Sequence, residues 1–459
     1  MIKQACIVAA GMGSRFGEKS KALPKPLFRM CGVTILERVI HTCRKCGIRD
    51  FVIVIGYMGD TIRDYIESVK PADIRVEWVH NNEWKKKNGV SVLSAREKLQ
   101  ERFLLLMSDH IFSSELLEEV LAADDGRDVH LAVDPRLDRV FDMEDTTKVK
   151  YGSAGIDAIG KELTDFNGAD TGIFVGNRDF IDALETAYKT HEQNCGISEG
   201  CRELIVENKF SAIEVRQGFW QDVDDEACFQ EARKRLLNSL RKDTDGVLAA
   251  WINRRISIYI SSTLCNFPIH PNLMTIANFF IGLAAAAFFA IPGYGTGVAG
   301  ALLFQASSIL DGCDGETARL KFTESRLGGW LDLILDNVVH VLIFSAIGVR
   351  IYQTTDPKEA LILGCLMVAG VVLSMILVSN ACVRGGKLGT LRTGRADSTV
   401  LKLVNYLARR DFTYLLLLLS LFGETGMRIF AWMAAVGSNI FALTVFVLFY
   451  CRKQPMVDR

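Results

Sequence analysis

The sequence predicts two domains of different class: a Rossmann-like three-layer α/β domain, then an all-α polytopic membrane domain of six transmembrane helices. Three observations predict it. Residues 1–225 alternate short apolar strands with helical patterns. The chain is 49% hydrophobic overall, and the apolar excess gathers after about residue 245. Four aspartates (Asp311, Asp314, Asp332 and Asp336) recur at i,i+3 and i,i+4 spacings inside two otherwise apolar segments.

At 459 residues the chain has room for two or three domains. The first, over 1–225, shows a βαβ rhythm: ACIVAA, ILERVIHTCRKCG, DFVIVIG, DTIRDYIESV and RFLLLMSD. Such alternation predicts a mainly parallel sheet with helices on both faces. The apolar run at the amino terminus is too short for a signal peptide and reads as the first strand. A charged, amphipathic linker helix is expected within 226–246. Residues 247–268 mix Trp251, Ile252, Ile256, Ile258 and Tyr259 with Arg254 and Arg255, which suits a helix lying in the membrane interface. The membrane domain is expected over 269–459.

Within it, apolar runs fall near 273–291, 295–311, 328–349, 359–382, 412–424 and 428–450. A span needs roughly 20 apolar residues. The second run is shortened by its polar end, and the fifth extends back through Tyr406 with Arg409 and Arg410 snorkelling. Arg384, Lys387, Arg392, Arg395, Lys402, Arg409 and Arg410 crowd the 383–411 loop, whereas the 350–358 loop has little beyond Arg350 and Lys358. The positive-inside rule then puts the basic loops, both termini and the 312–327 loop on the cytoplasmic side of the cell membrane. Small residues Gly297, Gly300 and Ala301 suggest a homodimer through this domain.

Net charge is −1, which predicts no nucleic acid or other global polyelectrolyte partner. Twelve cysteines show no metal or disulfide spacing, and Cys43-x2-Cys46 lacks partners, so reduced thiols are expected.

Residues three or four apart share a helix face, so each aspartate pair presents two carboxylates side by side. In apolar surroundings they are costly unless a cation meets them. Oxygen donors favour Mg²⁺, Mn²⁺ or Ca²⁺. Residues 311–336 spell Asp311-x2-Asp314-Gly315-x2-Ala318-Arg319-x8-Gly328-x3-Asp332-x3-Asp336. This resembles the CDP-alcohol phosphotransferase signature at every defined position, with Pro271, Asn272 and Thr275 resembling the family's opening of the first membrane helix. The resemblance implies transfer of a substituted phosphate from a CDP-alcohol to a second alcohol, with release of CMP. It further implies that Asp311, Asp314 and Asp332, joined by Asp336, bind Mg²⁺ or Mn²⁺. Asp336 would also take the proton of the attacking hydroxyl, and Gly315, Ala318 and Arg319 would hold the nucleotide diphosphate. For a phosphorylated acceptor, Arg384, Arg392 and Arg395 are the candidate cations.

Near the amino terminus, AAGMGSRFGEKSKALPKPL places Gly11 and Gly13 after the first strand, where backbone N–H groups can wrap phosphate. The dinucleotide fingerprint is not met: Phe16 stands where its third glycine is required. With Arg15 and Lys25, the latter between Pro24 and Pro26, the segment resembles the sugar-1-phosphate nucleotidyltransferase signature. The resemblance implies that Lys25 contacts the α-phosphate and Arg15 the departing β,γ-phosphates. It also gives Gly89 and Ser91 of Asn88-Gly89-Val90-Ser91 the pyrimidine to read. Mg²⁺ or Mn²⁺ would be held by Asp109 and by a carboxylate of QDVDDE, Asp224 or Asp222, with the family pattern favouring Asp224. Glu199 and Asp170 are candidates for substrate hydroxyls and equally for loop caps.

The order and size resemble fusions of these two families that first make a CDP-alcohol and then consume it. That resemblance implies CTP and inositol 1-phosphate as substrates. Three alternatives remain: an acceptor that is a lipid, an amino-terminal domain that only senses nucleotide, and a transporter. The last is disfavoured because the membrane acids cluster at one face.

Overall fold

The computed structural model describes residues 2–241, 249–385 and 412–447. The chain divides into two units, Met1–Ser239 and Leu240–Arg459.

In the first unit the strands are β1 (Gln4–Ala9), a short hairpin β2 (Arg29–Met30) and β3 (Val33–Thr34), β4 (Asp50–Ile55), β5 (Arg75–His80), β6 (Phe103–Met107), β7 (His110–Phe112), β8 (Val129–Asp134), β9 (Lys148–Gly152), β10 (Gly155–Gly160), β11 (Gly168–Gly176), β12 (Phe210–Glu214) and β13 (Trp220–Asp222). The helices are α1 (Glu18–Ala22), α2 (Ile35–Lys45), α3 (Gly59–Val69), α4 (Asn88–Ser94), α5 (Ser114–Ala123), α6 (Arg178–Thr190), α7 (Ile197–Val206) and α8 (Glu226–Asn238). All five elements expected from the early alternation are present, as β1, α2, β4, α3 and β6. Every residue of β1 is buried, as a central strand covered on both faces requires. Helix α2 starts at Thr34, whose hydroxyl accepts the Glu37 N–H while the Glu37 carboxylate accepts that of Thr34.

The sheet is mixed rather than mainly parallel. Strand β1 runs parallel to β4 and β6, and β4 parallel to β5. Strand β11 is antiparallel to β6, β8 and β9. Connectivity accounts for one pair: only Ser153 and Ala154 join β9 to the antiparallel β10, too few for the crossover that parallel pairing demands. Apolar clusters lie on both sheet faces, one around Ile7, Ile53 and Leu106, the other around Val54, Leu105 and Phe174. Helix α8, expected as part of a linker, packs on this unit: Cys228 and Ala232 are buried, and the Arg235 guanidinium donates to the Trp220 and Arg139 carbonyls.

The second unit is helical: α9 (Arg254–Leu264), α10 (Pro271–Ala290), α11 (Tyr294–Lys321), α12 (Arg326–Thr354), α13 (Pro357–Gly385), α14 (Phe412–Ser420) and α15 (Gly423–Phe446). Pro271 occupies the first turn of α10, where its missing N–H costs nothing. Ser325 caps α12 by accepting the Gly328 N–H at 3.0 Å. Among the described residues four helices (α10, α12, the Pro357–Leu377 part of α13, and α15) are long and apolar enough to cross a membrane, where the sequence predicted six spans. Helix α11 has 28 residues but ends in a polar stretch, and the described part of α14 has nine.

Two expectations change. Arg350 is not a loop residue: it lies inside α12, fully buried, and donates to Glu424 (2.5 and 2.9 Å) and to the carbonyls of Ile291 (3.0 Å) and Gly293 (2.5 Å). The small residues proposed as a dimer face are used inside the chain. A Cβ on Gly297 would sit 3.1 Å from the Arg350 guanidinium and one on Gly300 would sit 3.0 Å from Phe289, while Ala301 is buried.

Candidate active sites

In the first unit the turn after β1 places Arg15 on a short 3-10 turn that Gly13 opens in the left-handed region, at φ 65°. A Cβ at Gly13 would fall 2.9 Å from that of Lys25, so glycine is required for backbone strain and for space. The flanking prolines hold Lys25 at the start of a second 3-10 turn, with its side chain buried. Its ammonium donates to Asp109 at 2.8 Å and Asp224 at 2.9 Å. The Arg15 guanidinium donates to Asp224 at 2.8 Å and Asp145 at 2.5 Å. Thus the four groups named from distant segments, Arg15, Lys25, Asp109 and Asp224, meet.

Burial pushes the Asp109 carboxyl up, but the Lys25 ammonium and His110 beside it more than offset this and hold it at about 2. Burial raises Asp222, which accepts the Gln221 side-chain amide at 2.7 Å instead of pairing with Lys25. Asp109 and Asp224 are each about 30% exposed and converge on one ammonium. That all-oxygen pair, able to exchange an ammonium for a cation, fits Mg²⁺ or Mn²⁺.

Helix α4 carries Gly89 and Ser91. A Cβ at Gly89 would lie 2.7 Å from the Cys195 carbonyl, so this close approach of α4 to the start of α7 needs glycine. Ser91 is buried, and its hydroxyl accepts the Asn81 amide at 2.9 Å. Glu199 accepts from Lys87 at 2.5 Å and from the Gly196 N–H at 2.9 Å, a helix-capping contact. Asp170 accepts the Gly172 N–H at 2.7 Å, and burial raises its carboxyl to about 6. Gly11 has open space where a Cβ would stand.

Sequence reasoning missed Asp145 and Lys161, whose ion pair at 2.5 Å abuts Arg15. Both lie over 120 residues beyond Arg15 in segments without a motif.

In the second unit Asp311 of α11 and Asp332 and Asp336 of α12 each place a carboxylate oxygen within 4.8 Å of the others. Three oxygen donors at that separation fit a divalent cation such as Mg²⁺ or Mn²⁺. Asp314, outside that trio, accepts the Thr275 hydroxyl of α10 at 2.5 Å and the Gly315 N–H at 2.5 Å. Ala318 is buried, and a Cβ on Gly315 would lie 3.4 Å from the Arg319 guanidinium. A Cβ on Gly328 would stand 3.0 Å from the Asn272 amide oxygen, which links that motif glycine to the start of α10. Arg392 and Arg395 lie outside the described residues, as does the side chain of Arg384. Also missed was Glu316, fully buried beside the motif; an acid inside an apolar helix is the signal that should have found it.

The MobA-like NTP transferase domain family matches residues 5–192, and the CDP-alcohol phosphatidyltransferase family matches residues 268–437. A protein of Archaeoglobus fulgidus named bifunctional IPC transferase and DIPP synthase is 32% identical, over 80% of this chain and 70% of that protein. The chain belongs to that family. Proteins of the same name from Aquifex aeolicus and Thermococcus kodakarensis are 31% and 33% identical, over 78% and 73% of this chain and 79% and 73% of theirs. As a bifunctional IPC transferase and DIPP synthase family member, the chain is a transferase with a nucleotidyltransferase domain and a CDP-alcohol phosphotransferase domain. Its apolar helices fit a lipid bilayer.

Proposed function

We propose that this chain makes CDP-inositol and then uses it. CTP and inositol 1-phosphate give CDP-inositol and pyrophosphate; CDP-inositol and a second inositol 1-phosphate give a phosphorylated di-inositol phosphate and CMP. The observation that carries this reading is the presence in one chain of the Lys25–Asp109–Asp224 cradle and the Asp311–Asp332–Asp336 trio.

In the first step a phosphate oxygen of inositol 1-phosphate attacks the α-phosphorus of CTP, and pyrophosphate leaves. That nucleophile is already anionic, so no general base is needed. Lys25 turns from its carboxylates to the α-phosphate and Arg15 to the departing phosphates, supplying fixed positive charge where negative charge builds up. Gly11 and Gly13 offer backbone N–H groups to phosphate, while Gly89 and Ser91 bound the pyrimidine. Glu199 and Asp170 are assigned to inositol hydroxyls. Asp109 and Asp224 would hold Mg²⁺, which when bound neutralises the phosphates.

In the second step Asp336 accepts the proton of the attacking inositol hydroxyl. Gly315, Ala318 and Arg319 hold the diphosphate, and Asp311, Asp314, Asp332 and Asp336 are assigned to Mg²⁺ or Mn²⁺. Arg384, Arg392 and Arg395 are assigned to the acceptor phosphate. The proposal includes six spans, an interfacial helix within 247–268, and both sites on the cytoplasmic side. A homodimer through the membrane unit is retained without the small-residue argument.

The test is purified protein in detergent with labelled inositol 1-phosphate and CTP. Label should appear in a water-soluble product as CMP and pyrophosphate form in equal amounts. Label extracted only into chloroform would replace this reading with transfer to a lipid alcohol.

A further inference from the structure

Helix α9 has its polar side inward. Ser257, Ser261 and Ser262 of α9 and Asn253 just before it are buried, whereas Tyr259 of α9 and Trp251 in the preceding turn are 75% and 63% exposed. The inward stripe meets Glu316 of α11, whose side chain is fully buried. One Glu316 oxygen accepts from the Arg254 guanidinium at 2.6 Å and the Ser257 hydroxyl at 2.7 Å, the other from the Ser261 hydroxyl at 2.8 Å. Those donors recur at i, i+3 and i+7 on α9, so a single helix face supplies all three. The seam continues through Asn253, which accepts from Gln305 of α11 at 2.9 Å and from the Tyr414 hydroxyl of α14.

Glu316 directly follows Gly315 and lies three residues before Arg319, so these donors are fastened to the turn of α11 that bears Gly315, Ala318 and Arg319. Two guanidinium groups flank that turn. A Cβ on Gly312 would lie 3.6 Å from Arg254, and one on Gly315 would lie 3.4 Å from Arg319. A buried carboxylate between two arginines pairs with whichever is better placed. Here Arg254 holds it in a hydrogen-bonded ion pair at 2.6 Å, while Arg319 interacts with it through space alone, which leaves the Arg319 donors for a ligand.

We propose that Arg254 is a positioning residue for the CDP-alcohol site: by engaging Glu316 it keeps that carboxylate from capturing Arg319 and fixes the diphosphate-binding turn. This rests on the reading of residues 315–319 as the diphosphate cradle. Loss of Arg254 should therefore weaken ground-state binding of the nucleotide, while Asp332 and Asp336 on α12 keep their places.

The test uses the full-length protein in detergent with supplied CDP-inositol and inositol 1-phosphate, scored by CMP release. Arg254→Ala should raise KM for CDP-inositol by about tenfold or more with kcat within about threefold, since uniform binding is what is lost. Arg254→Lys should stay within about threefold of wild type in both, and pyrophosphate release from CTP and inositol 1-phosphate should not change. The double variant Arg254→Ala/Glu316→Gln should recover most of the KM, because the stray carboxylate is gone; a packing role would instead make the double variant worse. An unchanged KM, or a double variant no better than the single, overturns the proposal. If Arg254→Ala does not fold, Arg254→Met, which fills the space but donates nothing to Glu316, takes its place with the same expected rise in KM. Failure of both to fold overturns the proposal in favour of a purely structural seam. Absence of CMP with the wild-type protein would instead refute the proposed function.

Discussion

Replacing Lys25 by alanine removes the one ammonium shared by Asp109 and Asp224, at 2.8 and 2.9 Å. Removing a single preorganised donor from the place where charge develops costs about 3–4 kcal/mol, a loss of 10²–10³ in kcat. The effect on folding is smaller. Both carboxylates are about 30% exposed, so water can replace part of what the ammonium gave. Asp109 is held at about 2 against an ordinary 3.8, which corresponds to roughly 2 kcal/mol of pairing. Because that folded value is depressed, the stability is fully present above about pH 4 and is lost as pH falls toward 2. At neutral pH the variant therefore folds but is less stable by that order, and it loses less than wild type on acidification. The assay measures pyrophosphate from CTP and inositol 1-phosphate, and in parallel CMP from supplied CDP-inositol. The first should fall at least a hundredfold and the second should not move. Pyrophosphate release within tenfold of wild type would refute the role given to Lys25.

Further predictions follow from contacts elsewhere. Asp170 is raised to about 6 by burial, so it favours folding most when protonated, and stability is lost as pH rises from about 4 through 6. Asp170→Asn should stabilise the protein by on the order of 1–3 kcal/mol at pH 8 and little at pH 4, seen by thermal unfolding at the two pH values. Gly89→Ala should force α4 away from the Cys195 carbonyl at a cost of about 1–3 kcal/mol, raising KM for CTP about tenfold in initial-rate measurements. Arg350→Ala leaves a void where a fully buried side chain stood, while the partly exposed Glu424 and the exposed Ile291 and Gly293 carbonyls can turn to water; it should destabilise the membrane unit by about 2–5 kcal/mol, read as a fall in its thermal midpoint in detergent.

Local pattern made much of this protein legible. The buried runs of β1, β4 and β6 and the amphipathic α2 and α3 declare themselves because their periods are set by their own burial. The trio Asp311, Asp332 and Asp336 was legible because its members lie on two adjacent helices within one short segment. What stayed hidden depends on contacts far apart in sequence. The antiparallel pairing of β11 with β6 joins strands more than 60 residues apart, and no local pattern announces its direction. Asp145 reaches Arg15 across 130 residues, and Glu316 finds its donors on a helix some 60 residues earlier. The Arg350–Glu424 pair spans 74 residues and looks, in sequence, like a loop cation and a helix-end acid.

The central claim is that one unit makes what the other consumes, and mixing two single-site variants tests it most directly. Asp336→Asn protein given CTP and inositol 1-phosphate should accumulate CDP-inositol and pyrophosphate without CMP. Adding Lys25→Ala protein, alone at least a hundredfold slower on CTP, should then consume the CDP-inositol and release CMP. Continued accumulation with no CMP after mixing, or CMP at the wild-type rate from Asp336→Asn alone, would contradict the account.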